Sequence, residues 1–452
     1  MQFNKLFMNK RQLQRLSTLL FLVPFMVGHQ VSLAQVIQFE RYQLANGLRV
    51  ILHQDSSTPI VAVTVSYKVG SKNEDPARTG FAHFFEHLLF EGSQNIGRGE
   101  YMKLVKTNGG VLNANTFYDR TFYFEILPSN QLELGLWMES ERMLHAKIED
   151  QGIETQREVV KEERRQRYDN TPYGGLLDQT MRRTFLQHPY GRSVIGSMEH
   201  LNSAKREEFM DFYKTFYVPD NAVLSIAGDF KSDQVKVWVN RYFGTIPSST
   251  RPIPRPNPEE PLQIAERVDT VYDNIQLPAI VHSFKMPAQG SPDFYPMSML
   301  TSLLSQGASS RFQKSIADRQ QKAVAVGAFP LGMVDHGVAI MYGIVNMGVS
   351  ADSLDQAMRE EYRLIREQTV NQAELAKLLT QLESERVAQL GSVQGIAEQL
   401  SDYELFYGDV NLINTEFERF RKVTAEDIQR VANRYLVPTN QVTLYYMPKP
   451  KP

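Results

Sequence analysis

Apolar and polar positions alternate with period two in "RYQLANGLRVILHQD" (41–55) and again in "PIVAVTVSYKVGS" (59–71), the spacing of half-buried strands. Asn46-Gly47 lies between two such runs, so the first stretch predicts a hairpin closed by a type I′ turn. From about 78 to 92 the apolar positions change to helical spacing. A turn and two strands are predicted over 107–128, "TNGGVLNANTFYDRTFYFEILP", and helices over 129–149 and 150–168. The stretch "IPSSTRPIPRPNPEEP" (246–261) has no period and is rich in Pro and Ser, the composition of a linker.

The pattern then repeats. "FYVPDNAVLSIAG" (216–228) recurs as "YLVPTNQVTLYYM" (435–447), with Pro219 and Pro438 separated by 219 positions. The same offset places Pro59 of "TPIVAVTVSYKV" on Pro278 of "LPAIVHSFKMPA". Two matches at one offset predict a duplicated unit. The expected fold class is α+β, with two homologous units, each a β-sheet packed with helices. They would span 35–245 and 263–448 and be joined by a linker at 246–262.

Composition narrows the class. A hydrophobic content of 42%, charged content of 22% and a formal charge of −2 describe a globular chain with no basic stripe, which argues against nucleic acid as a partner. The N-terminal segment differs: Lys5, Lys10, Arg11 and Arg15 precede the short apolar run "LSTLLFLVPFMVG", and Ser32 and Ala34 supply small residues. This is the layout of a cleaved secretory signal, residues 1–34, and the run falls short of the roughly 20 residues of a spanning helix. The mature chain is expected in the periplasm, or outside the cell where there is no outer membrane, without a stable membrane anchor. Cysteine is absent, so any metal site must be built from His and carboxylates.

One segment joins these strands to chemistry. "FAHFFEHLLFEGS" (81–93) sets His83, Glu86 and His87 among Phe81, Phe84, Phe85, Leu88, Leu89 and Phe90. On a helix, positions i and i+4 share a face, so both imidazoles can reach one ion, and zinc is the usual occupant of such a pair. Glu86 borders that face, where a general base would stand. Three ionisable groups in an apolar helix need a partner, and a metal supplies one. The repeat offset sets Ser302, Ser305 and Gln306 opposite this motif, so the second unit lacks the ligand set. His188 and His200 have no partner at ligand spacing and are expected as loop and surface residues.

His-x-x-Glu-His is the inverted zincin order, and "GFAHFFEHLLFEGS" resembles the active-site helix of the pitrilysin family, the group that includes mitochondrial processing peptidase. "LANGLRVIL", "GGVLNANTFYDRTFYF", "REVVKEERRQR" and "FYVPDNAVLSIAGD" resemble further family segments, so the likeness runs through most of the mature chain. It implies two halves closing as a clamshell, one zinc ion per chain, and peptide hydrolysis. A third ligand is implied in "QREVVKEERRQR", where Glu163 falls 76 positions after His87. Glu158 and Glu162 lie nearby, and adjacent Glu162 and Glu163 point about 100° apart on a helix, so at most one of those two faces the metal.

The resemblance also implies that Asn113, Ala114 and Thr116 form an edge strand binding peptide by β-augmentation, and that Glu86 acts as general base. Gln156 stands where many relatives carry a second-shell Glu, and can hydrogen-bond to Glu163 or to water. Ala317 and Val324 stand where related peptidases use an Arg and a Tyr to contact substrate. A homologous second subunit carrying that Arg/Tyr pair is therefore the expected partner, with this chain as the zinc-bearing half of a heterodimer. The alternative is a non-catalytic scaffold or assembly subunit of the same fold.

Overall fold

The structure is a computed structural model and describes residues 36–450; the expected signal segment, residues 1–34, lies outside the described residues. Eleven strands among the described residues form two sheets. The first contains β1 (Glu40–Gln43), β2 (Arg49–Gln54), β3 (Ile60–Tyr67), β4 (Val111–Thr116), β5 (Thr121–Pro128) and β6 (Ala222–Gly228), in the order β1-β2-β6-β3-β5-β4. The second contains β7 (Arg267–Asp273), β8 (Ala279–Met286), β9 (Ala323–Leu331), β10 (Gly337–Val345) and β11 (Gln441–Pro448), in the order β7-β11-β8-β10-β9.

The second order is the first with β1 removed. The starts of β3 and β8, Ile60 and Ala279, stand at the repeat offset, and so do the starts of β6 and β11, Ala222 and Gln441. Each sheet carries one parallel pair, β2 with β6 and β7 with β11, in the same place. Residues between Phe243 and Arg267 form no helix or strand.

The predicted first hairpin forms, but its turn differs. Gln43 pairs with Arg49, so residues 44–48 make a loop too long for a two-residue I′ turn. Only Gly47 of the Asn-Gly pair takes a positive φ, +87°. The Asn46 side chain is used otherwise, its Nδ2 donating to the carbonyls of Phe243 (2.7 Å) and Ile246 (2.9 Å).

β3 shows how the layers stack. Val61, Val63, Val65 and Tyr67 face a core shared with helices α1 (Phe81–Leu88), α2 (Glu100–Thr107), α3 (Leu132–His145) and α4 (Asp150–Arg164). Ala62 faces the other way, with Ile51, Val223 and Ala227, onto helix Val393–Tyr407. Period-two alternation predicts one buried face; here both are buried, because the chain's second half lends a helix to the first sheet. Ser66 and Ser401 share a hydrogen bond of 2.8 Å across that contact. Ion pairs add to it, with Arg41 2.7 Å from Glu404, and Arg120 bound to Glu398 and Asp402.

The exchange runs both ways. Helix α5 (Leu176–Thr184) brings Met181 onto Val281, Ile340, Val442 and Leu444 of the second sheet, and Thr184 Oγ1 lies 2.6 Å from Ser283 Oγ. Leu400 is fully buried in the helical layer that covers the first sheet. Leu400→Ala is expected to lower unfolding free energy by about 2–5 kcal/mol, the range for a large-to-small core change. Equilibrium urea denaturation checks this. A loss below about 0.5 kcal/mol, the surface range, would mean the helix is not part of the sheet's core.

Candidate metal centre

α1 is amphipathic, and the two faces do different work. Phe81, Phe84, Phe85 and Leu88 are buried. Phe81 stacks on Phe209 with ring centroids 4.6 Å apart, and Phe85 on Phe212 at 5.2 Å, both partners belonging to helix Arg206–Phe216. Those contacts leave His83, Glu86 and His87 facing a cleft of about 510 Å³. The start of α1 is fixed by Gly80, at φ +94°, where a Cβ would fall 2.7 Å from the Ile195 carbonyl. Only glycine meets both demands.

α4 brings the carboxylate. Ile153, Arg157 and Val160 form its buried stripe, and Glu163 lies one turn beyond Val160 on that side. Glu163 Oε2 stands 3.3 Å from His87 Nε2 and 3.7 Å from His83 Nε2. Glu158 and Glu162 are turned to solvent, with side chains 64% and 52% exposed against 16% for Glu163. They pair with Lys161 and Arg165 instead. Of the two adjacent acids, Glu163, the one the resemblance implied, is the one that faces the histidines. After Arg164 the helix loosens into a π-type turn, Arg165–Asp169. From that turn Arg167 Nη1 reaches Glu163 Oε1 at 2.6 Å.

One donor atom from each of His83, His87 and Glu163 lies within 4.8 Å of the others, and no other such group of three occurs among the described residues. For bonds of about 2.0–2.1 Å in a tetrahedron the ligand–ligand edge is about 3.3–3.4 Å, close to the two histidine–Glu163 separations of 3.3 and 3.7 Å. The protonation states suit a cation. Burial, helped by the neighbouring His87, pushes His83 down to about 4, so its imidazole is neutral. His87 beside Glu163 holds that carboxyl below its ordinary value. His83 Nδ1 is buried without a partner, and Nε2 is too far from Glu163 for a hydrogen bond, so the imidazole is left short of partners in the protein. The donor set therefore fits zinc.

Glu86 lies one turn after His83 and lines the cleft. Burial pushes its carboxyl up, partly offset by the nearby Thr116 hydroxyl and His87. Opposite runs β4, paired with β5 on one side only. Asn113, Ala114, Asn115 and Thr116 line the same cleft, and the outer edge of β4 pairs with no other strand among the described residues. Of the residues anticipated around the site, one points elsewhere: Gln156 donates to Glu91 rather than to Glu163, and Arg98 pairs with the same Glu91. Arg167 belongs to the charge run "KEERRQR", whose composition reads as a helical face of mixed ion pairs; the i, i+4 pair with Glu163 forms, and it brings Arg167 to the edge of the site.

The second half holds no counterpart among the described residues. Ser302 and Ser305 lie on helix Phe294–Ser305, where Ser305 Oγ donates to the Ala328 carbonyl. Ala317 sits in the π-type turn Gln313–Arg319 and Val324 on β9, over half exposed. The expectation for His188 needs correction. It is 2% exposed, with Nε2 3.2 Å from Asp335, because its loop is enclosed between the halves. His200 is half-buried and its Nδ1 lies 2.8 Å from Thr79 Oγ1. Neither belongs to the ligand group.

Two family profiles match: "Insulinase (Peptidase family M16)" over residues 49–198 and "Peptidase M16 inactive domain" over 203–382. The chain is 30% identical to the zinc protease PqqE of Helicobacter pylori, over 90% of this chain and 93% of that protein. It is 25% identical to the probable mitochondrial-processing peptidase subunit beta of Arabidopsis thaliana, over 87% and 75%. A solved protease from Helicobacter pylori superposes with a TM-score of 0.87 at 29% identity, over 91% of this chain and 100% of that one. The periplasmic protease PqqL of Escherichia coli superposes at 0.74 and 19% identity, with 90% of this chain covering 47% of that longer one.

Proposed function

Because this chain belongs to the M16 family of zinc proteases, we propose that it is an exported zinc metalloendopeptidase acting on peptides or unfolded segments. One arrangement above all supports the reading: His83, His87 and Glu163 converge within coordination distance while Glu86 faces the same cleft. Those three residues would hold one zinc ion, which would supply Lewis acidity to acidify water and polarise a carbonyl. Glu86 accepts a proton from the attacking water as its oxygen bonds to the scissile carbon. It then gives that proton to the leaving amine as the C–N bond breaks, which restores the carboxylate. The outer edge of β4 aligns the substrate through backbone hydrogen bonds, with Asn113, Ala114 and Thr116 lining the cleft that His83, His87 and Glu163 share. Arg167 keeps Glu163 aimed by holding its second oxygen.

The working enzyme is a heterodimer, with this chain as its zinc-bearing half and the partner supplying the Arg/Tyr pair. Ala317 and Val324 support this, since neither side chain can donate a hydrogen bond to substrate. So does the occurrence of the fold as about half of a longer periplasmic chain. None of the described helices is long and apolar enough to cross a membrane.

The test is co-purification from the exported fraction, followed by a quenched-peptide assay. A homologous second chain is expected to travel with this one, and the pair to hydrolyse peptide at least tenfold faster than either alone. A fully active single chain would remove the heterodimer and keep the peptidase. An inactive, zinc-loaded pair would favour the scaffold reading.

A further inference from the structure

Helix α1 is only eight residues long, too short to hold its own shape in water. Each end of a helix also leaves backbone groups without intrahelical partners. Here both ends are met by buried side chains from elsewhere. At the start, Glu74 is 3% exposed and uses both carboxyl oxygens: Oε2 accepts from the Gly80 N–H at 2.9 Å and Oε1 from the Ala82 N–H at 2.8 Å. Arg192 Nη1 in turn donates to the Glu74 backbone carbonyl at 2.9 Å. Burial pushes the Glu74 carboxyl up to about 8, and the hydrogen bonds from the helix N–H groups pull it back.

At the far end, Arg142 of α3 is fully buried, and its Nη1 donates to the Leu89 carbonyl at 2.8 Å. The rest of the guanidinium is fixed by Glu139 Oε1 at 3.0 Å and Glu125 Oε1 at 3.1 Å. The rings of Phe90, Tyr101 and Tyr123 surround it at 4.6–4.8 Å from Cζ. A guanidinium this enclosed is costly to bury, and a water-exposed helix end would need nothing of the kind.

We propose that Glu74 and Arg142 form a two-ended clamp that sets the position of α1 along its axis, and thereby the distance of His83 and His87 from Glu163 on the separate helix α4. Both are positioning residues; neither lines the cleft. The inference rests on the zinc reading. It implies that the ligands are arranged before the ion arrives, so the ion finds a formed site.

The decisive variant is Glu74→Gln in the full chain. It keeps one acceptor oxygen and sets an amide N–H₂ against a backbone N–H. Its zinc dissociation constant by chelator competition is expected to rise about 10–100-fold, the usual effect of losing an outer partner of a metal site. kcat is expected to fall while KM for peptide holds, because the substrate edge is untouched. Arg142→Lys, which keeps the charge and loses the fork, is expected to move both readings in the same direction. A folded Glu74→Gln protein with wild-type zinc affinity overturns the clamp alone; a wild-type chain that binds no zinc overturns the metal reading with it. Hydrogen exchange on the metal-free wild type needs no variant. Amides of α1 are expected to stay protected after the ion is stripped, and exchange at the rate of an unstructured peptide would overturn the clamp.

Discussion

Glu86→Gln is expected to lower kcat for peptide hydrolysis by about 10²–10⁴-fold, the range for losing a positioned general base. Gln is close to isosteric with Glu but cannot take a proton from water, so the change removes the chemistry and leaves the packing. The side chain lies on the cleft face of α1, away from the Phe81, Phe84 and Phe85 stack. Melting temperature is therefore expected to stay near that of the wild type. Zinc content is expected to stay at one ion per chain, because His83, His87 and Glu163 are untouched. Quenched-peptide hydrolysis, elemental analysis and a thermal melt on the same preparation give all three readings. Equal activity in the two proteins would sink the hydrolase reading. A variant that lost its zinc as well would place Glu86 among the ligands.

What could be read in advance follows the range of the interactions. The strand at 60–67, the helix at 81–88 and the duplication of the sheet are set by local periodicity or internal likeness, and all are visible in sequence. His83 and His87 are one helical turn apart, so their shared face is a local fact. Glu163 comes from a distant part of the chain; the resemblance pointed to it, and the packing of α1 against α4 turns it, rather than Glu162, toward the histidines. For the exchanged helices, α5 and Val393–Tyr407, local spacing does not say which sheet the apolar face covers, because each packs on the sheet of the other half of the chain. The same holds for His188, whose partner Asp335 is 147 positions away. Asn46-Gly47 marked a turn correctly but not its type, since the Asn46 amide is claimed by carbonyls at 243 and 246. Nothing local in the sequence marks Glu74 or Arg142. Their burial and their hold on α1 depend on residues brought together by folding.

Removing zinc is expected to lower the melting temperature of the wild type by several degrees, and the His83→Ala variant is expected not to respond at all. An ion that binds only the folded chain stabilises it by about 4 kcal/mol when its free concentration is a thousand times its dissociation constant. The ligands come from two helices that the unfolded chain does not bring together, so the whole linkage acts on the folded state. His83 is the sharpest position at which to cut it. Its imidazole is neutral, it is buried with an unpartnered Nδ1, and it lies 3.7 Å from the carboxylate that would share the ion. Alanine there removes one of three donors and no hydrogen bond, so metal-free variant and metal-free wild type are expected to melt within a few degrees of each other. Melts recorded with chelator, and again after zinc is restored, separate the cases. If stripped wild type melts where the loaded protein does, or if His83→Ala regains stability on adding zinc, the three residues are not the ion's holders.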